Sequence, residues 1–324
     1  MSLRKPVSGE VEGGAALAAL DPLIEPYPFK PYRNYRILSR KRQNEVTRAE
    51  VEAALAQAGG FAVVGEGVAA VLRPQAWDSA FFELPMARLY LLHDGVPSVA
   101  AIRSLLLDAC ATCRGRGIRH LSVRIDVADV HAIQALEDAG FRMMDALATY
   151  IYPIKRPAPV PGKEMGMPRL YRQEDREQIL EITREAYRGF RGRYHFDPHL
   201  PGERSDALYV EWAKKACDGE WADVVLVAEN GDGLVHGWAS YKRIEPVSSV
   251  GQTAIHGAGL GACRRDKPGA YAGLLRAATE RIHGGGAVTE MQTQIFNFAT
   301  IRLYESVDTQ FVRADYTLHA WLGD

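Results

Sequence analysis

Residues 122–154 read SVRIDVADVHAIQALEDAGFRMMDALATYIYPI, and residues 289–321 read TEMQTQIFNFATIRLYESVDTQFVRADYTLHAW. Each stretch runs strand, short helix, phenylalanine, aspartate, strand: Ser122–Val127, His131–Ala139, Phe141, Asp145 and Ala148–Ile154 in the first, Thr289–Ile295, Ala299–Ser306, Phe311, Asp315 and Tyr316–Trp321 in the second. The offset holds along the match. Leu136 answers to Tyr304, 168 positions on, and Asp145 to Asp315, 170 positions on, so the copies differ by two residues near Val307–Thr309. Self-similarity at one period is the signature of a duplicated unit. The fold class is therefore α/β in the mixed α+β sense: two tandem modules, each a twisted mixed sheet flanked by helices.

Outward from these stretches, apolar periodicity gives strands at Phe61–Val64, Val68–Leu72 and Arg88–Leu92 and helices at Arg48–Gln57 and Val99–Arg116. The second copy reads as helix Gln173–Tyr187, helix Ala207–Cys217, strands Ala222–Glu229, Val235–Ile244 and Thr253–Gly261, then helix Pro268–Ile282. Between them, Pro153–Pro168 holds five of the seventeen prolines, which removes backbone donors and marks a linker. Residues 1–35 are rich in Gly, Ala and Pro and read as an extended arm. The expected organisation is an N-terminal extension over 1–45, a degenerate copy over 46–154, a linker over 155–168 and a catalytic copy over 169–324.

Composition narrows the function classes. The 324 residues are 47% hydrophobic and 24% charged, as in folded soluble proteins, and 39 Lys plus Arg against 40 Asp plus Glu leave no field that would draw nucleic acid. No apolar run approaches the roughly 20 residues of a membrane helix, and the first 24 residues lack a signal peptide's apolar stretch, so the expected location is cytoplasmic. Cys110 and Cys113 form a CxxC inside a helical pattern without a second pair, which reads as two reduced core thiols; Cys217 and Cys263 stand alone. No metal is expected.

Three features of the second copy point to one kind of ligand. The turn Arg264-Arg265-Asp266-Lys267-Pro268-Gly269-Ala270-Tyr271 opens a helix, and free N–H groups at a helix start beside fixed cations suit a pyrophosphate. Asn297 and Tyr304 are two helical turns apart on one face, whereas the first copy has Asp129 and Leu136 there. The loop Arg188–Asp197 alternates arginine with aromatic rings, which suits a phosphate plus a stacked base or sugar.

Taken in order, these residues resemble the GNAT-type N-acetyltransferase superfamily. Within it, Gly192–Asp197, Leu208-Tyr209…Trp212-Ala213 and Gln292-Thr293-Gln294…Asn297 are most similar to the dTDP-fucosamine acetyltransferase group, and Trp77-Asp78-Ser79…Phe81-Phe82 resemble its N-terminal half. The phosphate loop departs from the superfamily pattern, with Asp266 three before Gly269 and Tyr271 at the second small position. The resemblance implies acetyl-CoA as co-substrate, direct attack of a primary amine on the thioester, Tyr304 as general acid to the thiolate and Asn297 as an orienting residue. It implies backbone contacts to pantetheine from Ala258, Gly259, Leu260 and Gly261, and a pyrophosphate on Gly269, Ala270 and Tyr271 flanked by Arg265 and Lys267. A nucleotide-linked amino sugar would meet Arg191, Arg193 and Tyr194. Glu290 and His256 are the candidates for the amine's proton acceptor. The expected partner is a small-molecule amine, with no nucleic acid or membrane and with a homodimer left open. Two rivals stand beside this reading: acyl transfer to another small amine or a protein N-terminus, and a catalytically inactive CoA-binding scaffold.

Overall fold

The computed structural model describes residues 9–95, 97–152, 166–267, 269–283, 288–307 and 309–323, the side chains of 279–283 excepted. Two compact units emerge: Met1–Ala146 with Arg313–Asp324, and Leu147–Val312.

The first unit runs β1 (Gly9–Val11), α1 (Gly13–Ile24), α2 (Arg40–Ala56), β2 (Phe61–Gly65), β3 (Val68–Pro74), α3 (Ala76–Phe82), β4 (Met86–His93), α4 (Val99–Gly115), β5 (His120–Asp126) and α5 (Val130–Asp138), then enters β6 (Arg142–Tyr152). Its strands pair in the order β1-β2-β3-β4-β5, antiparallel except for the parallel pair β4–β5. Alternation along β3 sends Ala70 and Leu72 to one face, under α4 and α5, and Ala69 and Val71 to the other, under α1 and α2. Cys110 and Cys113 are buried in α4, where desolvation pushes their thiols up to about 11 and about 12.

The second unit repeats that plan: β7 (Met167–Leu170), α6 (Arg176–Tyr187), α7 (Arg193–Phe196), α8 (Gly202–Cys217), β8 (Val224–Glu229), β9 (Val235–Arg243), α9 (Val247–Val250), β10 (Ile255–Cys263), α10 (Ala270–His283), β11 (Val288–Gln294) and α11 (Phe298–Ser306), then the start of β12 (Gln310–Trp321). Pairing runs β7-β8-β9-β10-β11, again antiparallel but for one parallel pair, β10–β11. Helices α6 and α8 cover one face around Trp238; α10 and α11 cover the other.

Two expectations about organisation change. Residues 1–45 contain β1, α1 and the start of α2, which are the first copy's counterparts of β7, α6 and α8. Gly13, Gly14 and Pro22 hide this helix. A proline inside a helix costs about 3 kcal/mol, but Ala16, Leu20 and Ile24 recur on one buried face, and each large side chain contributes about 1.5–3 kcal/mol. The last strands are also exchanged. Residues 147–152 of β6 pair with β11 in the second unit, and residues 315–321 of β12 pair with β5 in the first. Both strands are 11–12 residues long, against a usual five to six, and each crosses the boundary between the units, at Ala146/Leu147 and at Val312/Arg313. The expected linker lies outside the described residues up to 165, and Met167 and Pro168 already belong to β7.

Candidate active site

The parallel pair β10–β11 joins only at Ile255–Gly257 with Val288–Glu290; beyond that point β11 continues along β6 and β10 continues along β9. The strands part. A bulge between Ala258 and Gly261 bends β10 at the fork. Ser240 of β9 holds the bulge: its hydroxyl donates to the Leu260 carbonyl at 2.8 Å and accepts from the Leu260 N–H at 2.9 Å. Although β10 lies inside the sheet, Gly259 is exposed and its neighbours are half-buried. Glycine is needed at 261, where a Cβ would stand 2.7 Å from the Tyr271 ring.

The turn before α10 is less open than the sequence suggests. Ala270 is buried and donates its N–H to the Lys267 carbonyl at 3.0 Å, and the Tyr271 main chain reaches the Cys263 sulfur. Arg264 bonds the Val235 carbonyl at 2.9 Å and pairs with Glu181. Arg265 is largely exposed and 3.6 Å from Glu185. Lys267 is half-buried and makes no side-chain ion pair or hydrogen bond among the described residues. Gly269 stands just before the helix, its carbonyl accepting from the Gly273 N–H. Pro268 lies outside the described residues.

Tyr304 sits at 2% exposure on α11, edge-on to Tyr150 at 5.4 Å. Its hydroxyl is hydrogen-bonded to Tyr271 and lies 3.5 Å from the Gln292 carbonyl. Burial, with Tyr271 and Tyr241 close by, holds its pKa well above the ordinary phenol value. Burial raises Tyr187, Tyr241 and Tyr271 as well. A phenol kept neutral in this way can donate a hydrogen bond at any ordinary pH. It cannot serve as a base.

Asn297 is held by local bonds. Its side-chain oxygen accepts from the Thr300 N–H at 3.3 Å as the N-cap of α11, and its amide donates to Thr293 at 3.0 Å. Asp129 caps α5 in the same way, through Ala132. The polar residue at this position is therefore a cap in both copies, because each helix start needs an acceptor.

The arginine-rich loop also divides. Arg191 is exposed and Arg193 lies 4.5 Å over the Tyr194 ring, but Tyr194 is buried against Trp212. Sequence reasoning missed the aromatic column behind it. His195, bonded to Asp206 at 2.9 Å, stacks on Tyr209, and Tyr209 stacks on Tyr187 at 4.5 Å. The Tyr187 hydroxyl then donates to the Gly261 carbonyl at 2.8 Å. That bond engages one of the backbone groups expected to meet pantetheine, and Ser240 engages two more on Leu260. At the fork itself stand Glu290, which accepts from Gln292, and His256, whose pKa burial lowers.

The first unit has no such opening at the matching place. Arg88, Tyr90 and Leu92 stand where β10 has Gly257, Gly259 and Gly261, and β3–β4 pairs without a bulge. His93 bonds Asp129 at 2.9 Å, Tyr27 and Phe29 pack on His93, and Arg33 pairs with Asp126 at 2.9 Å. The connection between α1 and α2 closes the fork.

No family model matches the chain. Over 98% of its length it superposes on a GCN5-related N-acetyltransferase from Sphaerobacter thermophilus, 13% identical, covering 96% of that chain at a TM-score of 0.64. It superposes likewise on a tandem GNAT protein from the clavulanic acid biosynthesis pathway, in a form without AcCoA, at 13% identity, 99% of that chain and a TM-score of 0.58. The fold is the tandem GNAT fold. A glucosamine N-acetyltransferase region of a fungal multi-domain β-N-acetylglucosaminidase shares this GNAT fold, at 12% identity over 99% of this chain and 38% of that one, with a TM-score of 0.59. Among curated proteins, the spore coat polysaccharide biosynthesis protein SpsD of Bacillus subtilis is 24% identical over 207 residues, 61% of this chain and 64% of that relative. No helix among the described residues is long and apolar enough to cross a membrane.

Proposed function

We propose that the second unit transfers an acetyl group from acetyl-CoA to the primary amine of an amino sugar, nucleotide-linked in the fullest form of the reading, and that the first unit is a degenerate copy. The observation that carries it is the forked, bulged β10 of the second unit, with α10 starting at its end and a neutral buried phenol beside it. GNAT-fold neighbours support acyl transfer. The glucosamine acetyltransferase region and the polysaccharide-biosynthesis relative support a sugar amine.

The co-substrate would supply an acetyl carbon activated by its thioester. Half-buried Ala258 and exposed Gly259 on β10 would lie along the pantetheine arm, Gly269 and Tyr271 at the start of α10 would face the pyrophosphate, and Lys267 and Arg265 would flank it. In the reaction the amine nitrogen bonds the acetyl carbon, the carbon–sulfur bond breaks, the amine loses a proton and the sulfur gains one. Tyr304 would donate a hydrogen bond to the leaving sulfur and lead its protonation. His256, whose pKa burial lowers, and Glu290 are the groups at the fork able to take the amine's proton.

The test is calorimetry with acetyl-CoA followed by a thiol-release screen over free and nucleotide-linked amino sugars. Binding followed by amine-dependent thiol release is expected. Binding with no release for any amine would select the scaffold.

A further inference from the structure

A cavity of about 330 Å³ opens on the α6–α8 side of the second unit, lined by Trp212, Ala216, Trp221, Ser240, Gly259 and Leu260. Its floor is the β10 bulge; its walls are two indoles. We propose that this cavity is the acceptor pocket and that it holds a single pyranose ring of an amino sugar, with the ring's C–H face on the indoles. This rests on the acyl-transfer reading and adds the site at which the sugar ring is held.

Four observations support it. Tyr304 belongs to the α10–α11 side of the sheet, whereas Leu260 packs on the α6–α8 side, so an amine seated here would attack from the face opposite the group that protonates sulfur. The walls are preorganised: Trp212 is held edge-on by Tyr209 at 5.4 Å and Tyr194 at 6.2 Å, and it meets Trp221 at 5.8 Å. The floor requires glycine, because a Cβ at Gly259 would stand 2.8 Å from the Ser240 hydroxyl that holds the bulge. The lining contains no carboxylate. An ammonium would be desolvated there without a counter-charge, so the neutral amine, the form that attacks, is favoured.

Size and shape select the ring. About 330 Å³ is at the lower end of the roughly 300–1,000 Å³ typical of small-molecule sites, enough for one ring and too little for a whole sugar nucleotide. Broad indole faces match a saturated ring presenting a flat C–H surface, and any nucleotide would lie outside the cavity.

Free glucosamine is the probe. Titrated into the full chain, it should change tryptophan emission saturably, and Trp221→Ala and Ala216→Leu should each weaken it at least tenfold while the acetyl-CoA dissociation constant stays within twofold. Ala216→Leu fills the cavity but leaves both indoles in place, so it decides the matter if Trp221→Ala does not fold. Unchanged glucosamine binding in folded Ala216→Leu would overturn the site. Benzylamine binding in place of glucosamine would overturn the sugar class. Wild-type binding of glucosamine without thiol release would leave the pocket standing and sink acyl transfer instead.

Discussion

Replacing Tyr304 by phenylalanine removes one oxygen from a buried cluster and separates the catalytic role of that hydroxyl from its structural one. The structural loss is small. The contact with the Gln292 carbonyl, at 3.5 Å, is at the edge of hydrogen-bonding range, and the remaining bond, to Tyr271, is worth about 0.5–1.5 kcal/mol net. Phenylalanine preserves the packing on Tyr150. For a unit of this size a loss of about 1 kcal/mol lowers Tm by roughly 2–4 °C. The catalytic loss is larger, because a positioned proton donor contributes about 10²–10⁴ in rate, or roughly 3–5 kcal/mol of barrier. Steady-state thiol release should therefore show kcat reduced at least a hundredfold, with calorimetry giving an unchanged acetyl-CoA affinity. A kcat within threefold of wild type, in protein with near-native Tm, would refute the assignment. Weakened acetyl-CoA binding with kcat intact would make the hydroxyl a binding group.

Three further outcomes follow from the same geometry. Tyr271→Ala removes the ring that abuts Gly261, and calorimetry should show tighter acetyl-CoA binding, about tenfold; weaker binding would make the ring part of the site. Asn297→Ala should lower stability by about 1 kcal/mol in thermal melts, as for other lost caps, with little change in kcat, and Asn297→Asp should restore it because Asp129 performs that task in the first copy. The raised pKa values of Tyr187, Tyr241, Tyr271 and Tyr304 set an alkaline limit. Below about pH 10 these phenols are neutral in folded and unfolded chains alike, so their stabilising burial is fully present; above it the unfolded chain ionises first, and stability falls as pH rises toward the folded values. Equilibrium melts between pH 9 and 12 should show that decline, and a flat profile would contradict it.

The duplication was legible because strand, helix, Phe and Asp recur at one offset. The first helix was not, since Gly13, Gly14 and Pro22 lower local helix propensity and only burial of Leu20 and Ile24 reverses the balance. The capping bond of Asn297 was hidden for a related reason: one residue type serves as a cap and as a catalytic amide, and spacing along the chain does not separate the two. Tyr187, His195 and Tyr209 stand on three successive helices, so no single helical pattern announces their stack. The cavity beside Gly259 was equally hidden, because Trp221 and Ser240 carry no motif and meet only through the sheet.

The exchanged last strands bind the histories of the two repeats together. Tyr150, encoded in the repeat whose own fork is closed, forms a wall around Tyr304. His319 and Leu318, encoded in the other, lie in the first unit's interior. Neither repeat can drift freely, because a substitution in the tail of one is tested by the packing of its sibling. A gene cut between them would sever both halves from an essential strand.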